Sequence, residues 1–298
     1  PPVVVTSARA LTEGGADRDV WMPSLSADGV YLAYTNQNGG DRSKDPQICV
    51  YTFSNAAKQC SVLPEEFSGM PYQLQWSPDG TMIAFSENPI ETSNESDIWL
   101  LDVETREFTD LTDDGLTGMW RYLETDEDIN IDYLPMWDKS DGSIVFWRAV
   151  PAGNFDFSLA LYRIDPAGGD PVELRAVDRA IPYSLPTFTT ESLSLDGPSM
   201  LAPDGSAVAA IMTTPQSLGP LLYSLWQIPL NDASADPVEL ITADDVAAAL
   251  PEWQAYPATT TGLSWTGDGK GIVITSTSPD VHTPFTLLHY VDVATGDV

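Results

Sequence analysis

Positive charge is scarce in this sequence: 13 lysines and arginines stand against 44 aspartates and glutamates, a formal net charge of −31. A surface of that sign repels phosphate backbones and anionic lipid, which argues against a nucleic-acid partner. Histidine and cysteine are rarer still, with two of each. His282 and His289 lie close together near the end of the chain, too little for a Ser-His-Asp triad or a histidine-rich metal site. No Gly-x-Ser-x-Gly elbow occurs; the nearest string, Gly262-Leu-Ser-Trp-Thr-Gly267, has the wrong spacing. A glycine-rich phosphate loop is also missing. No run approaches the roughly 18 apolar residues of a membrane helix, so no membrane span is expected. The chain opens at Pro1-Pro2-Val3, which reads as if a targeting segment had been removed.

What the sequence does contain is a repeat. An inner-strand segment ends in Asp-Gly, and a β-rich apolar run follows. The copies are Pro23 to Asp28-Gly29 then Val30–Tyr34, Leu74 to Asp79-Gly80 then Thr81–Phe85, and Pro135 to Asp141-Gly142 then Ser143–Trp147. Two more run from Pro198 to Asp204-Gly205 then Ser206–Ile211, and from Leu263 to Asp268-Gly269 then Gly271–Thr275. Glycine supplies the positive φ of a tight hairpin, and aspartate bonds the local backbone. Each following run is rich in β-branched and aromatic residues, as a buried strand should be. A third strand follows each copy: Ile48–Phe53, Ile98–Val103, Leu159–Ile164, Tyr223–Ile228 and Leu287–Val293. Fourth strands read Glu107–Thr112, Pro171–Arg175 and Pro237–Thr242, and the string Asp-Pro-Val-Glu-Leu recurs at 170–174 and 236–240. Four antiparallel strands repeated radially describe the blades of a β-propeller.

The Trp-Ser-Pro-Asp-Gly element at 76–80, the Ile-Trp-Leu-Leu-Asp-Val strand at 98–103 and the Leu111-Thr112 ending resemble the WD40-like repeats of TolB-type propellers. Related blades form the propeller of prolyl-oligopeptidase-family peptidases. The resemblance spans nearly the whole chain. Blades 1 and 4 depart from it, with Leu25 and Leu201 near where the repeat carries Trp. It implies an all-β fold, a single β-propeller over 1–298, and says little of function. Five blades are expected, or six if the chain is incomplete. The N-terminal strand 3–12 ends in Leu11-Thr12, like the fourth strands, and is expected to close the last blade.

In such a blade the short first-to-second and third-to-fourth turns share one face. The long crossovers 113–132, 178–196 and 243–262 share the other, where function usually lives. Trp76, Trp137 and Trp265 occupy the repeat position and read as core. Trp120 and Trp253 sit instead in crossovers, beside Arg121-Tyr122 and Tyr256. These five are the binding-face candidates: an exposed aromatic there can stack on a sugar or anchor a partner, or else plug its own loop.

Two further features carry chemistry. Cys49 and Cys60 are equidistant from a turn centred between Ser54 and Asn55, so in a regular hairpin they oppose each other and can bridge. A disulfide implies an oxidising, extracytoplasmic compartment: periplasm, cell surface or medium. Asp126, Asp128, Asn130 and Asp132 place oxygen ligands at every second residue, a partial match to a calcium loop, with Ile131 where that motif needs glycine. The other reading is a solvated acidic loop or strand. The expectation for the whole chain is a non-catalytic scaffold or interaction module for a protein partner or envelope assembly. The alternative is a glycan-active or glycan-binding propeller using carboxylates and tryptophans on the long-loop face.

Overall fold

The computed structural model describes Leu11 and residues 20–36, 45–67, 70–87, 96–115, 130–153, 156–177, 198–214, 222–232, 234–242, 259–277 and 286–297. Among them there are strands and turns and no helix, and no helix is long and apolar enough to cross a membrane. Blade 1 holds β1 (Val20–Leu25), β2 (Tyr31–Asn36), β3 (Gln47–Thr52) and β4 (Ala57–Val62). Blade 2 holds β5 (Pro71–Trp76), β6 (Met82–Glu87), β7 (Ile98–Asp102) and β8 (Phe108–Asp110). Blade 3 holds β9 (Ile131–Trp137), β10 (Ile144–Gly153), β11 (Asp156–Ile164) and β12 (Val172–Ala176). Blade 4 holds β13 (Ser199–Leu201), β14 (Ala207–Thr214), β15 (Leu222–Pro229) and β16 (Val238–Ile241). Blade 5 shows β17 (Thr259–Trp265), β18 (Gly271–Thr277) and β19 (Thr286–Asp292). Each sheet pairs its strands antiparallel in chain order, and the five sheets form a ring, a five-bladed β-propeller.

The expected closing strand 3–12 lies outside the described residues except for Leu11. Leu11 packs against Tyr34, Cys49 and Tyr51 of blade 1.

The core is a set of layers between blades, and this explains the apolar runs. In β6, Ile83 and Phe85 pack toward blade 1 with Ile48 and Val50, while Ala84 packs toward blade 3 with Ile144 and Phe146. In β10, Val145 and Trp147 turn the other way, to Val208, Ala210 and Met212 of blade 4. A strand that alternates its side chains between two neighbouring sheets must be apolar on both faces.

Each Asp-Gly turn is built the same way. The glycines at 29, 80, 142, 205 and 269 have φ between 69° and 77°. The aspartate Oδ1 accepts the N–H two residues on, from Val30, Thr81, Ser143, Ser206 and Lys270, at 2.9–3.2 Å. A third device recurs on the inner strands. Met22, Gln73 and Leu134 take the left-handed conformation, φ 50–56°, at a β-bulge in the same place in blades 1, 2 and 3. A bulge there re-aims the inner strand's side chains relative to the axis.

Candidate functional site

The five inner strands converge on a cavity of about 430 Å³ at the centre of the ring. Every blade contributes to its wall, one to five residues ahead of the Asp-Gly pair. It therefore opens on the short-turn face. The walls are mostly Trp76, Trp137, Trp265, Met136, Met200 and Leu201; Ser24, Gln75, Ser264 and Lys139 supply the polar groups.

The tryptophans hold the ring together as well as lining it. Trp76 Nε1 donates to the Ser24 carbonyl of blade 1 at 2.9 Å. Trp137 Nε1 donates to the Gln75 carbonyl of blade 2 at 3.0 Å, and Trp265 Nε1 to the Met200 carbonyl of blade 4 at 3.0 Å. In each case the acceptor directly precedes the repeat position of the neighbouring blade. The two departures from the repeat, Leu25 and Leu201, have no donor to offer. Between blades 3 and 4 other bonds stand in: Trp147 Nε1 donates to Ser199 Oγ at 2.9 Å, and Arg175 donates to the carbonyls of Pro229, Asp232 and Ala235. Across the axis, Gln73 Nε2 donates to the Ser199 carbonyl at 2.7 Å and Gln75 Nε2 points to Met200 Sδ at 3.6 Å, linking blade 2 to blade 4.

Acidic groups surround the cavity on its own face. The Asp28, Asp79, Asp141, Asp204 and Asp268 carboxyls are held below the usual carboxylate range. The main cause in each case is a hydrogen bond from a Ser or Thr hydroxyl, with backbone N–H bonds adding to it. The third-to-fourth turns on the same face repeat the device. Asp102, Asp165, Asp232 and Asp292 each accept an N–H from two residues on, at 2.8–2.9 Å.

A second cluster lies where blades 2 and 3 meet at the other end of the strands. Ser96 bridges to Ile131, and its Oγ donates to the Asp132 carbonyl at 2.7 Å. Thr112 Oγ1 donates to Asp97 Oδ1 at 2.9 Å, and the Asp97 N–H donates to Glu87 Oε2 at 3.0 Å. Asp132, buried in β9, accepts from Arg148 Nε at 2.7 Å and Nη2 at 2.5 Å across paired strands. Burial pushes Asp132 up to about 6, against the pull of that guanidinium. Burial also pushes Asp110 up to about 7, with the like charges of Glu87 and Asp113 adding to it. Arg148 is further held over the Tyr162 ring, 4.8 Å from its centroid.

Of the residues expected to carry function, Trp120, Arg121, Tyr122, Trp253, Tyr256, Asp126 and Asp128 lie outside the described residues. Asn130 is placed by its backbone N–H, which donates to Asp114 Oδ2 at 3.2 Å. Asp132 gives both carboxylate oxygens to Arg148, in competition with any cation. Cys49 and Cys60 form the expected disulfide: they are directly paired between β3 and β4, with Cα atoms 4.0 Å apart. That the central cavity opens on the short-turn face was not foreseen. Loop length points to the opposite face, and convergence of five inner strands is not written in any one segment.

The class that these features define is a five-bladed β-propeller whose inner strands are tied by tryptophan bonds at three of the blade junctions. No protein-family model matches the chain, and no curated protein matches it. Among solved structures there are likenesses at TM-scores below 0.5. The chain is similar to a dipeptidyl peptidase 4 of Porphyromonas gingivalis, at 13% identity and a TM-score of 0.46, over 95% of this chain and 40% of that one. It is also similar to an oligogalacturonate lyase of Vibrio parahaemolyticus, at 12% identity and a TM-score of 0.49, over 96% of this chain and 80% of that one. A likeness to the tricorn protease, at 11% identity and a TM-score of 0.46, covers 92% of this chain and 27% of that one. The chain thus spans well under half the length of the two peptidases.

Proposed function

We propose that this chain is a non-catalytic interaction module that works outside the cytoplasm, built of TolB-type blades. The observation that carries the reading is the make-up of the central cavity. Its wall is indole, thioether and aliphatic, and its polar groups are two serines, an amide and an ammonium. Such a set binds by shape and hydrogen bonds, and the carboxylate pair that glycoside chemistry needs is not among the residues that line it. The Cys49–Cys60 disulfide supports an oxidising compartment. The heavily acidic surface keeps the module apart from nucleic acid and anionic membranes and leaves protein as its partner.

The test is cross-linked capture from the native envelope, with partners identified by mass spectrometry. A specific protein should be captured by the wild type and lost with Trp120→Ala or Trp253→Ala on the long-loop face. Turnover of polysaccharides by the purified protein would overturn the reading and favour a glycan-active propeller.

A further inference from the structure

We propose that the cavity on the short-turn face is a docking site for a cationic partner segment: an apolar side chain flanked by lysines or arginines. The inference rests on the reading of the chain as an interaction module, and it puts a contact on the face opposite the long loops.

The cavity fixes the apolar part. At about 430 Å³ it falls in the range of sites that enclose a bulky group. The three indoles lining it have their N–H groups spent on backbone carbonyls, so they offer an entering group their carbon surface. Gln75, at the wall, donates only to the thioether of Met200, a weak acceptor. A backbone carbonyl carried in by a peptide is a better one.

The rim fixes the charge. Asp28, Asp79, Asp141, Asp204 and Asp268 each follow the nearest lining residue of their own blade by one to three positions, hence within about 10 Å along the chain, comparable with the screening length in physiological salt. Asp102, Asp165, Asp232 and Asp292 lie in the third-to-fourth turns on the same face. One such turn forms without the charge: in the third-to-fourth turn of blade 1, Asn55 accepts the Ala57 N–H at 3.0 Å. Of these ten described turns, nine carry an aspartate and one the neutral asparagine. Against them stand Lys139 in the wall, Lys270 beside Asp268, Arg106 in the blade 2 turn, Lys58 after the blade 1 turn, Arg175 beside Asp232, and Arg163. Arg163 is already paired with Asp138 and Asp141 at 2.9 and 3.3 Å. An anionic ligand would approach against this rim, whereas a cationic segment is drawn to it.

The test is a titration of the purified full chain with three labelled, amidated peptides, followed by fluorescence anisotropy at low and physiological salt. The peptides are Lys-Lys-Leu-Leu-Lys-Lys, Lys-Lys-Gly-Gly-Lys-Lys and Glu-Glu-Leu-Leu-Glu-Glu. The first should bind and the other two should not. Gly267→Phe should abolish binding. A Cβ there meets nothing within 4 Å, so the ring starts from open space at the mouth of the cavity. Combined Asp28→Asn, Asp79→Asn and Asp268→Asn keeps the turn bonds while removing three charges. It should weaken binding by about tenfold at low salt and flatten the salt dependence. Lys139→Glu should strengthen it. Binding of the glycine peptide as tight as the leucine one, or binding that survives Gly267→Phe, would show attraction to the acidic surface without the cavity and would overturn the proposal. So would equal binding of the glutamate peptide, or no binding by any. Those results leave the envelope capture and its long-loop variants to stand or fall separately.

Discussion

Three of the five inner strands carry a tryptophan whose indole N–H reaches back to the preceding blade, and this can be tested in both directions. Trp137→Phe keeps an aromatic ring in a site that is only 8% exposed and removes the bond to the Gln75 carbonyl. The net value of one such bond is about 1 kcal/mol. The carbonyl left behind borders an open cavity, where water can reach it, so the full penalty for a buried orphan is not incurred. The smaller ring loses some packing as well. Together these give a loss of about 1–2 kcal/mol, or roughly 2–6 °C in melting temperature for a chain of this size. Trp265→Phe, at a less buried site, should fall at the lower end.

The reverse substitution separates the bond from mere bulk. Leu25 stands at the repeat position of blade 1 and is 57% exposed, with room for an indole to reach toward Ser264 of blade 5. Leu25→Trp should supply the missing donor and stabilise by about 0.5–1.5 kcal/mol. Leu201 stands at the same position in blade 4 but is 9% exposed. On the side away from the cavity it packs into the core shared by blades 3 and 4. Leu201→Trp should therefore overpack and cost about 1–3 kcal/mol. Urea midpoints and thermal melts read all four variants. The reasoning is refuted if Trp137→Phe is silent while Trp137→Leu destabilises, or if Leu25→Trp gives no gain.

Four further outcomes are expected. Replacing Cys49 and Cys60 with alanine opens a short loop between paired strands and should cost roughly 2–3 kcal/mol, read as a matching drop in wild-type stability under reductant. Asp110, raised to about 7 in the folded state, favours folding most at a pH below its unfolded value and loses that contribution as the pH rises through 7. The turn aspartates, held low, lose theirs only as the pH falls below about 4. Stability should thus peak in mild acid, and Asp110→Asn should raise the melting temperature at pH 8 and flatten its fall between pH 5 and 8. Deleting residues 1–12 should open the ring at blade 5, since Leu11 lies against blade 1 as Leu111 of blade 2 lies against blade 3; a truncated chain that melts like the whole one would refute closure by 3–12. Calcium held by Asp126, Asp128 and Asn130 requires a melting temperature that falls in EDTA and a calorimetric heat that Asp128→Ala abolishes.

The parts of this fold that could be read in the sequence are those whose chemistry is local. The Asp-Gly pairs are bonded within two residues of themselves, and the third strands come out within a few residues of the expected bounds, from Gln47–Thr52 in blade 1 to Thr286–Asp292 in blade 5. The disulfide was legible for the same reason, because a short hairpin fixes which residues oppose each other. The tryptophan bonds were not, since their acceptors lie 52, 62 and 65 residues away and are backbone atoms with no signature of their own. Trp76 and Trp137 read as core and are buried, but burial is half of their role.

The alternating acids around 126–132 show the harder limit. A period of two suits a loop curling round an ion and equally suits a strand, and the structure makes β9 of its last part, Ile131–Trp137. In a strand, Asp132 faces a fixed cross-strand partner, and the register supplies Arg148. A chain with 44 acids and 13 lysines and arginines has few cations to place. That one of them lies half-buried against the buried Asp132 and over the Tyr162 ring shows a cation used to neutralise an interior acid. Arg148→Met would strand that carboxylate in the interior, where an unpaired charge costs about 3–5 kcal/mol. The double replacement Arg148→Met with Asp132→Leu should recover most of the loss, because two apolar groups need no partner. A single variant as stable as the wild type would mean that the pair contributes nothing to holding blade 3 together, and a double variant no more stable than the single one would refute the cost assigned to the stranded carboxylate.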